Sequence, residues 1–122
     1  MPQYEIIRHL TYHEITVSAD LTLGMFREIL GELVKAENFP ALHALWYLEQ
    51  DVRPPAFHEF DDMVAILQKA YATRPRNKRV AVAVPGPFVR SVAEMFQAQA
   101  SALPVQLRVF ETPDAARAWL EG

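Results

Sequence analysis

Six side chains that could bind a metal ion or transfer a proton occupy one short stretch of the chain. They follow the apolar segment that ends at Leu48, and they are Glu49, Asp51, His58, Glu59, Asp61 and Asp62. Ligands of α/β proteins bind beyond the carboxyl ends of parallel strands, where carboxylates and a histidine can hold a hard cation or act as acid and base. The spacing matches no metal-ligand motif, and a polar loop needs no function. The sequence suggests three functions for this chain. An acid–base or metal-dependent enzyme centred on residues 49–62 is the weakest of them.

The turn Pro85-Gly86-Pro87 stands where many α/β proteins bind a cofactor phosphate. A phosphate cradle needs successive backbone N–H groups at a helix N-terminus, and the two prolines remove two of these donors. The chain has no cysteine, which excludes thiolate catalysis and cysteine-ligated metals. His9 and His13 could meet across a hairpin, but four histidines are an ordinary number for this length. We therefore expect no cofactor, no bound metal ion and no enzymatic activity.

Large apolar side chains surround the same loop and favour a binding function. Pro54 and Pro55 lie between two aromatic pairs, one on the preceding apolar segment and one at the start of the next helix. Ligand pockets are mostly apolar with a few polar groups. We predict that the second helix and the loop before it form the rim of a ligand cavity, with these binding residues: Trp46, Tyr47, Phe57, His58 and Phe60. The alternative is that the aromatic rings simply fill the core.

The elements that position this loop follow from the periodicity of apolar residues. Residues 79–84 (RVAVAV) form a strand that is apolar on both faces, as in a parallel sheet covered by helices. An amphipathic helix over residues 88–102 follows, then a strand over 105–110 and a short helix that opens at Thr112. Strands alternating with helices in this way imply βαβ connections.

The first part of the chain completes the predicted order. Strands over residues 4–9 and 14–18 are close enough to form an antiparallel hairpin, and a helix begins after Asp20 or Thr22. A third strand covers residues 41–48, and a second helix covers residues 60–71. The sequence therefore predicts a single α/β domain over residues 1–122: an N-terminal β-hairpin, then sequential parallel strands with helical crossovers, ββαβαβαβα.

Composition excludes several functional classes. Twelve Lys and Arg against 15 Asp and Glu give a net charge of −3, whereas nucleic-acid binding depends on many Lys and Arg contacts to phosphate. No apolar stretch approaches the roughly 20 residues that span a bilayer, so we expect that this chain is not an integral membrane protein. The residues MPQYEIIRHL show no signal-peptide pattern. We expect a cytoplasmic protein that binds no nucleic acid.

The chain resembles the SpoIIAA-like branch of the STAS (sulfate transporter and anti-sigma factor antagonist) superfamily. The resemblance extends over residues 4–120, and the segments that carry it are ITVSADLTLGMF, ALHALWYLEQD, RVAVAVPG and VFETPDAARAWL. It implies a STAS-like sheet of sequentially ordered parallel strands wound with helices. Relatives are regulatory or of unknown role, and some are proposed to bind small hydrophobic ligands or lipids. The resemblance thus implies a non-enzymatic binding or regulatory domain for a small apolar, lipid-like ligand or a protein partner.

One departure from the family pattern weighs against partner switching. STAS antagonists of anti-sigma factors carry a phosphorylated Ser or Thr at the start of the second helix. Here no hydroxyl residue stands between Leu48 and Tyr71, and the region reads His58-Glu59-Phe60-Asp61-Asp62. An anti-sigma antagonist without the usual phosphoacceptor therefore remains as the alternative to the binding domain.

Two surface features favour self-association. Right-handed crossovers collect helices on one face of the sheet, and we assign the valines of residues 79–84 to that covered face. The other face would then display Thr16, Ser18, His43, Leu45, Tyr47, Ala81, Ala83, Gln106 and Arg108. Gly24 and Gly31 lie seven residues apart on the first helix, opposite its apolar stripe, where another chain could approach. Because twofold dimers are the commonest soluble oligomers, we predict a homodimer.

Overall fold

The computed structural model describes residues 3–36, 39, 42–72 and 78–122, and it is a mixed α/β structure. Its elements are β1 (Tyr4–Arg8), β2 (Tyr12–Val17), α1 (Leu23–Lys35), β3 (His43–Leu48), α2 (Phe60–Tyr71), β4 (Arg79–Ala83), α3 (Pro87–Gln99), β5 (Gln106–Phe110) and α4 (Pro113–Glu121). The strands form a five-stranded sheet in the order β1-β2-β3-β4-β5. β1 is antiparallel to β2, and the other neighbours are parallel. The predicted α/β class and order of elements are confirmed.

Side-chain alternation separates two apolar layers in this sheet. Val80 of β4 packs with Ile15 of β2 and Trp46 of β3 on the face that α1, α2 and α3 cover, as assigned from the sequence. Leu45 and Ala81 point to the opposite face. The prediction that all helices lie on one face was wrong, because α4 packs across β3, β4 and β5 on that second face.

The position of α4 has a physical reason. Within residues 3–36, 39, 42–72 and 78–122, α4 does not connect two strands of the sheet, so the handedness rule that applies to α1, α2 and α3 does not apply to it. The small side chains of Ala81 and Ala83 leave space over β4, and Ala116 and Leu120 of α4 fill it. The face that we expected to be open is therefore partly covered.

Local signals explain where the helices begin. The hydroxyl of Thr22 accepts the N–H of Met25 at 3.1 Å, so Thr22 and not Asp20 caps α1. The carboxylate of Asp20 instead accepts the N–H of Arg53. Thr112 caps α4 in the same way as Thr22 caps α1. α3 starts at Pro87 and ends at Gln99, where a 3-10 turn (Ala100–Ala102) replaces the predicted last helical residues. The predicted start of the third strand, residue 41, lies outside the described residues.

Candidate functional site

An apolar cavity lies between the sheet and helices α2 and α3. Its volume is about 70 Å³. Every lining residue is apolar, and they are Phe26, Trp46, Leu48, Pro54, Pro55, Phe60, Met63, Leu67, Val80, Val82, Val89, Val92, Ala93, Phe96 and Leu107. Because the two prolines belong to the loop after β3, the cavity extends toward the carboxyl edge of the parallel strands, where α/β proteins bind ligands.

Aromatic contacts hold the walls of this cavity in place. The ring of Phe26 on α1 stacks on Trp46 of β3 with 5.2 Å between ring centroids. Phe60 at the start of α2 meets Phe96 of α3 edge to face at 5.3 Å, and Phe57 packs edge to face on Phe60 at 5.4 Å. Such edge-to-face and offset geometries are the favoured ones for aromatic pairs. The contact between Phe60 and Phe96 joins the two helices over the cavity.

The five predicted binding residues do not form one group in the structure. Trp46 and Phe60 are buried and line the cavity. Tyr47 does not line it, because side chains of a strand alternate and Tyr47 packs on the α4 face of the sheet. Phe57 is 56% exposed and reaches the site only through its contact with Phe60. His58 is exposed in the 3-10 turn Phe57–Glu59 and is not a lining residue.

The sequence interpretation missed the wall that α3 contributes. Val89, Val92, Ala93 and Phe96 all line the cavity. The helical periodicity of residues 88–102 showed that this segment has an apolar face. It did not show which part of that face stays out of contact with the sheet. That depends on how α2, α3 and the sheet pack together.

The acidic loop between β3 and α2 has local structural contacts. The carboxylate of Glu59 accepts the N–H of Ala56 at 3.1 Å, and Asp61 accepts a hydrogen bond from the side-chain amide of Gln99. Asp51 adopts the left-handed conformation with φ 72°. Within residues 3–36, 39, 42–72 and 78–122, no group of three or more His, Asp or Glu side chains is arranged to hold a metal ion.

A polar cluster on the α4 face lies away from the cavity. The guanidinium of Arg117 on α4 lies 3.3 Å from Glu14, and the His9 ring is 3.1 Å from the same carboxylate. Tyr12 stacks on His9. Burial raises the pKa of Tyr12. Burial also opposes the charge on Arg117, but the carboxylate of Glu14 outweighs it and raises the pKa of Arg117.

A second group of titratable side chains lies at the amino ends of the parallel strands. His13 is only 3% exposed, and burial, Lys78 and Arg8 lower its pKa. The Nδ1 atom of His43 accepts the N–H of Arg79 at 2.9 Å. Burial, Lys78 and Arg79 lower the pKa of His43. Lys78 itself is buried, donates to the carbonyl of Phe39 and lies over that ring.

No protein-family model, curated protein or solved structure matches the chain. Among the described residues, none of the helices combines the length and apolar character required to cross a membrane.

Proposed function

We propose that this chain is a non-enzymatic, SpoIIAA-like binding domain of the cytoplasm that holds a small apolar ligand in the cavity under α2 and α3. The observation that carries the proposal is a cavity whose fifteen lining residues are all apolar. Water gains no hydrogen bonds in such a space, and empty apolar cavities bind apolar guests. An alkyl group would gain burial free energy there, at about 25 cal/mol for each Å² of apolar surface.

The size of the cavity favours a slender ligand. An apolar cavity of roughly 150 Å³ binds benzene. The present cavity, at about 70 Å³, is about half as large and is suited to a short alkyl chain. Because its lining surface is almost entirely apolar, a polar head group of the ligand would lie outside it.

Two exposed aromatic rings support an entrance at the carboxyl edge of the sheet. Phe57 precedes α2 and contacts the lining residue Phe60, and Phe88 in the first turn of α3 adjoins the lining residue Val89. Phe88 is 74% exposed. Aromatic residues are enriched at binding interfaces relative to the rest of a protein surface. They could cover the part of a ligand that protrudes from the cavity.

The two alternatives lack a comparable observation. A phosphorylation switch needs a hydroxyl near the start of α2, yet no Ser or Thr stands between Leu48 and Tyr71. An enzyme at residues 49–62 needs convergent side chains. Glu59 and Asp61 make a cap and a helix-to-helix hydrogen bond instead, and His58 is exposed.

The proposal is tested with hexanoate as the probe, titrated into the protein and followed by heteronuclear NMR. Ala93 lines the cavity on α3, and Ala98 lies exposed on the same helix. We expect shift changes that saturate and that concentrate on the lining residues. Ala93→Leu fills the space and should abolish them, whereas the matched control Ala98→Leu should leave them unchanged.

Native mass spectrometry of protein purified from cells provides the second measurement. A retained apolar molecule that Ala93→Leu displaces and Ala98→Leu does not would support the proposal. Hexanoate shifts that do not saturate, or that are the same in both variants, would contradict it.

A further inference from the structure

β1 is an open edge of the sheet. No other strand of the described residues pairs with it besides β2. The N–H of Ser18 donates to the carbonyl of Gln3, and the N–H of His9 donates to the carbonyl of Tyr12. Because hydrogen-bonded and non-hydrogen-bonded pairs alternate along an antiparallel ladder, Glu5 and Ile7 bond to β2.

The backbone groups of the remaining β1 residues therefore face outward. Tyr4, Ile6 and Arg8 direct their N–H and C=O groups away from the sheet. Such a row of unpaired groups is a template for another strand. Ile7, whose side chain lies on the α4 side of this strand, is 41% exposed and adds apolar surface.

Charges beside this edge are self-complementary. The hydroxyl of Tyr4 donates to the carboxylate of Glu32 on α1 at 2.7 Å. This hydrogen bond, then burial and then Glu28, raise the pKa of Tyr4, which places two carboxylates around the phenol. Gln3, Tyr4, Ile6, Glu28 and Glu32 line one open depression next to the edge. At the other end of the same strand, Arg8 is exposed and makes no ion pair with the described residues.

We propose that two copies of this chain pair β1 with β1 about a twofold axis at Ile6, so that Arg8 of each copy binds the Glu28 and Glu32 carboxylates of the other. Full antiparallel overlap of the five-residue strand centres on Ile6 and sets Tyr4 opposite Arg8. In this register the outward groups of Tyr4, Ile6 and Arg8 bond to one another. Residues directly opposite have Cβ atoms about 5 Å apart, which brings the guanidinium within reach of the acidic depression.

The second edge of the sheet does not offer the same complementarity. The N–H of Gln106 donates to the carbonyl of Lys78, and the N–H of Val84 donates to the carbonyl of Phe110. The backbone groups of alternate residues of β5 therefore face away from β4. Full overlap of β5 with a second β5 centres on Arg108 and sets two guanidinium groups opposite each other, which is unfavourable. Pairing at β1 is isologous and closes after two copies. The result is one continuous ten-stranded sheet.

Sedimentation equilibrium from micromolar to submillimolar concentration tests this dimer. Arg8→Glu should raise the dimer dissociation constant about tenfold or more, because two ion pairs become two repulsions. Glu28→Lys with Glu32→Lys should do the same, and combining all three changes should restore the dimer. Arg27→Glu changes the same charge at an exposed position of α1 and serves as the matched control.

Ile6→Pro provides a second test that does not depend on charge. It removes an N–H that faces outward from an edge strand, a place where proline is tolerated. We expect a folded monomer by circular dichroism and sedimentation. A parent mass of 13.9 kDa at every concentration would overturn the proposal. A dimer that survives both Arg8→Glu and Ile6→Pro would also overturn it and would assign the interface to another surface. Neither result depends on ligand binding in the cavity.

Discussion

Arg117 and Glu14 join the last helix to the second strand across the sheet. The Nη2 atom of Arg117 lies 3.3 Å from both carboxylate oxygens of Glu14, although 103 residues separate the two in sequence. The carboxylate is the more buried partner, with 11% of the Glu14 side chain exposed against 35% for Arg117. The pair therefore helps to fix α4 on a face of the sheet that the crossover helices do not cover.

Arg117→Met should lower the free energy of unfolding by about 1–3 kcal/mol, because it leaves a largely buried carboxylate without its main partner. Urea denaturation measures this loss. Arg90 forms the comparison, since its pair with Glu111 is 3.2 Å long but exposed. Arg90→Met should change stability by no more than about 0.5 kcal/mol. Equal losses in the two variants would contradict the argument from burial.

The two faces of the sheet could be assigned from sequence. The helix that covers the second face could not be identified in the same way. Alternation in residues 79–84 assigns Val80 to the crossover helices and Ala81 to the other face, as the structure has it. The apolar positions Ala116 and Leu120 show that α4 is amphipathic. They do not show which face it covers, because the crossover rule applies only to helices that connect two parallel strands, and α4 connects none of the described strands.

The lining of the cavity was also only partly predicted from sequence. The density of aromatics around residues 46–60 placed Trp46 and Phe60 beside one loop, and both line the cavity. Strand alternation alone would have separated Tyr47 from Trp46, because adjacent residues of a strand point to opposite faces. The contribution of Ala93 and its neighbours on α3 depends on the packing of α3 against the sheet. No local pattern encodes that packing.

Gly31→Ala should stabilise the protein by about 0.5–1 kcal/mol, because alanine has the higher helix propensity and the smaller loss of backbone entropy. Gly31 lies within α1, and a Cβ atom there would meet no other atom within 4 Å. Thermal denaturation measures the gain. Sedimentation of the same variant tests the prediction from sequence that another chain approaches α1 closely at this glycine. A lower melting temperature, or a weaker dimer, would contradict the expectation of open space.

Asp51→Val should destabilise the protein by about 1–2 kcal/mol, because a β-branched residue is strained at positive φ. Asp51 has φ 72° in the turn where the N–H of Val52 donates to the carbonyl of Glu49. Asp51→Gly removes the same carboxylate without this strain, and it should be neutral or slightly stabilising. Urea denaturation of the two variants separates backbone conformation from charge. Equal stabilities would show that the left-handed conformation is not what constrains this position.

His13 and His43, at the amino ends of the parallel strands, should make the protein less stable in mild acid. Burial, with positive charge from Lys78, lowers the pKa of His13 and of His43 below the ordinary value of 6.5. As the pH falls below about 6.5, the unfolded chain takes up protons on these rings before the folded protein does. Their contribution to stability is therefore present above this pH and is lost as the pH falls through their folded pKa values. Each ring contributes a slope of at most about 1.4 kcal/mol per pH unit.

Urea denaturation at about pH 7.5 and about pH 5.5 measures this loss, since the two conditions lie on either side of the pKa of an unperturbed histidine. His13→Leu removes the more buried of the two rings, and we expect a smaller difference between the two conditions than in the parent. His58→Leu, at an exposed position, controls for the loss of an imidazole and should leave the difference unchanged. If His13→Leu retains the full pH dependence of the parent, burial of His13 is not its cause.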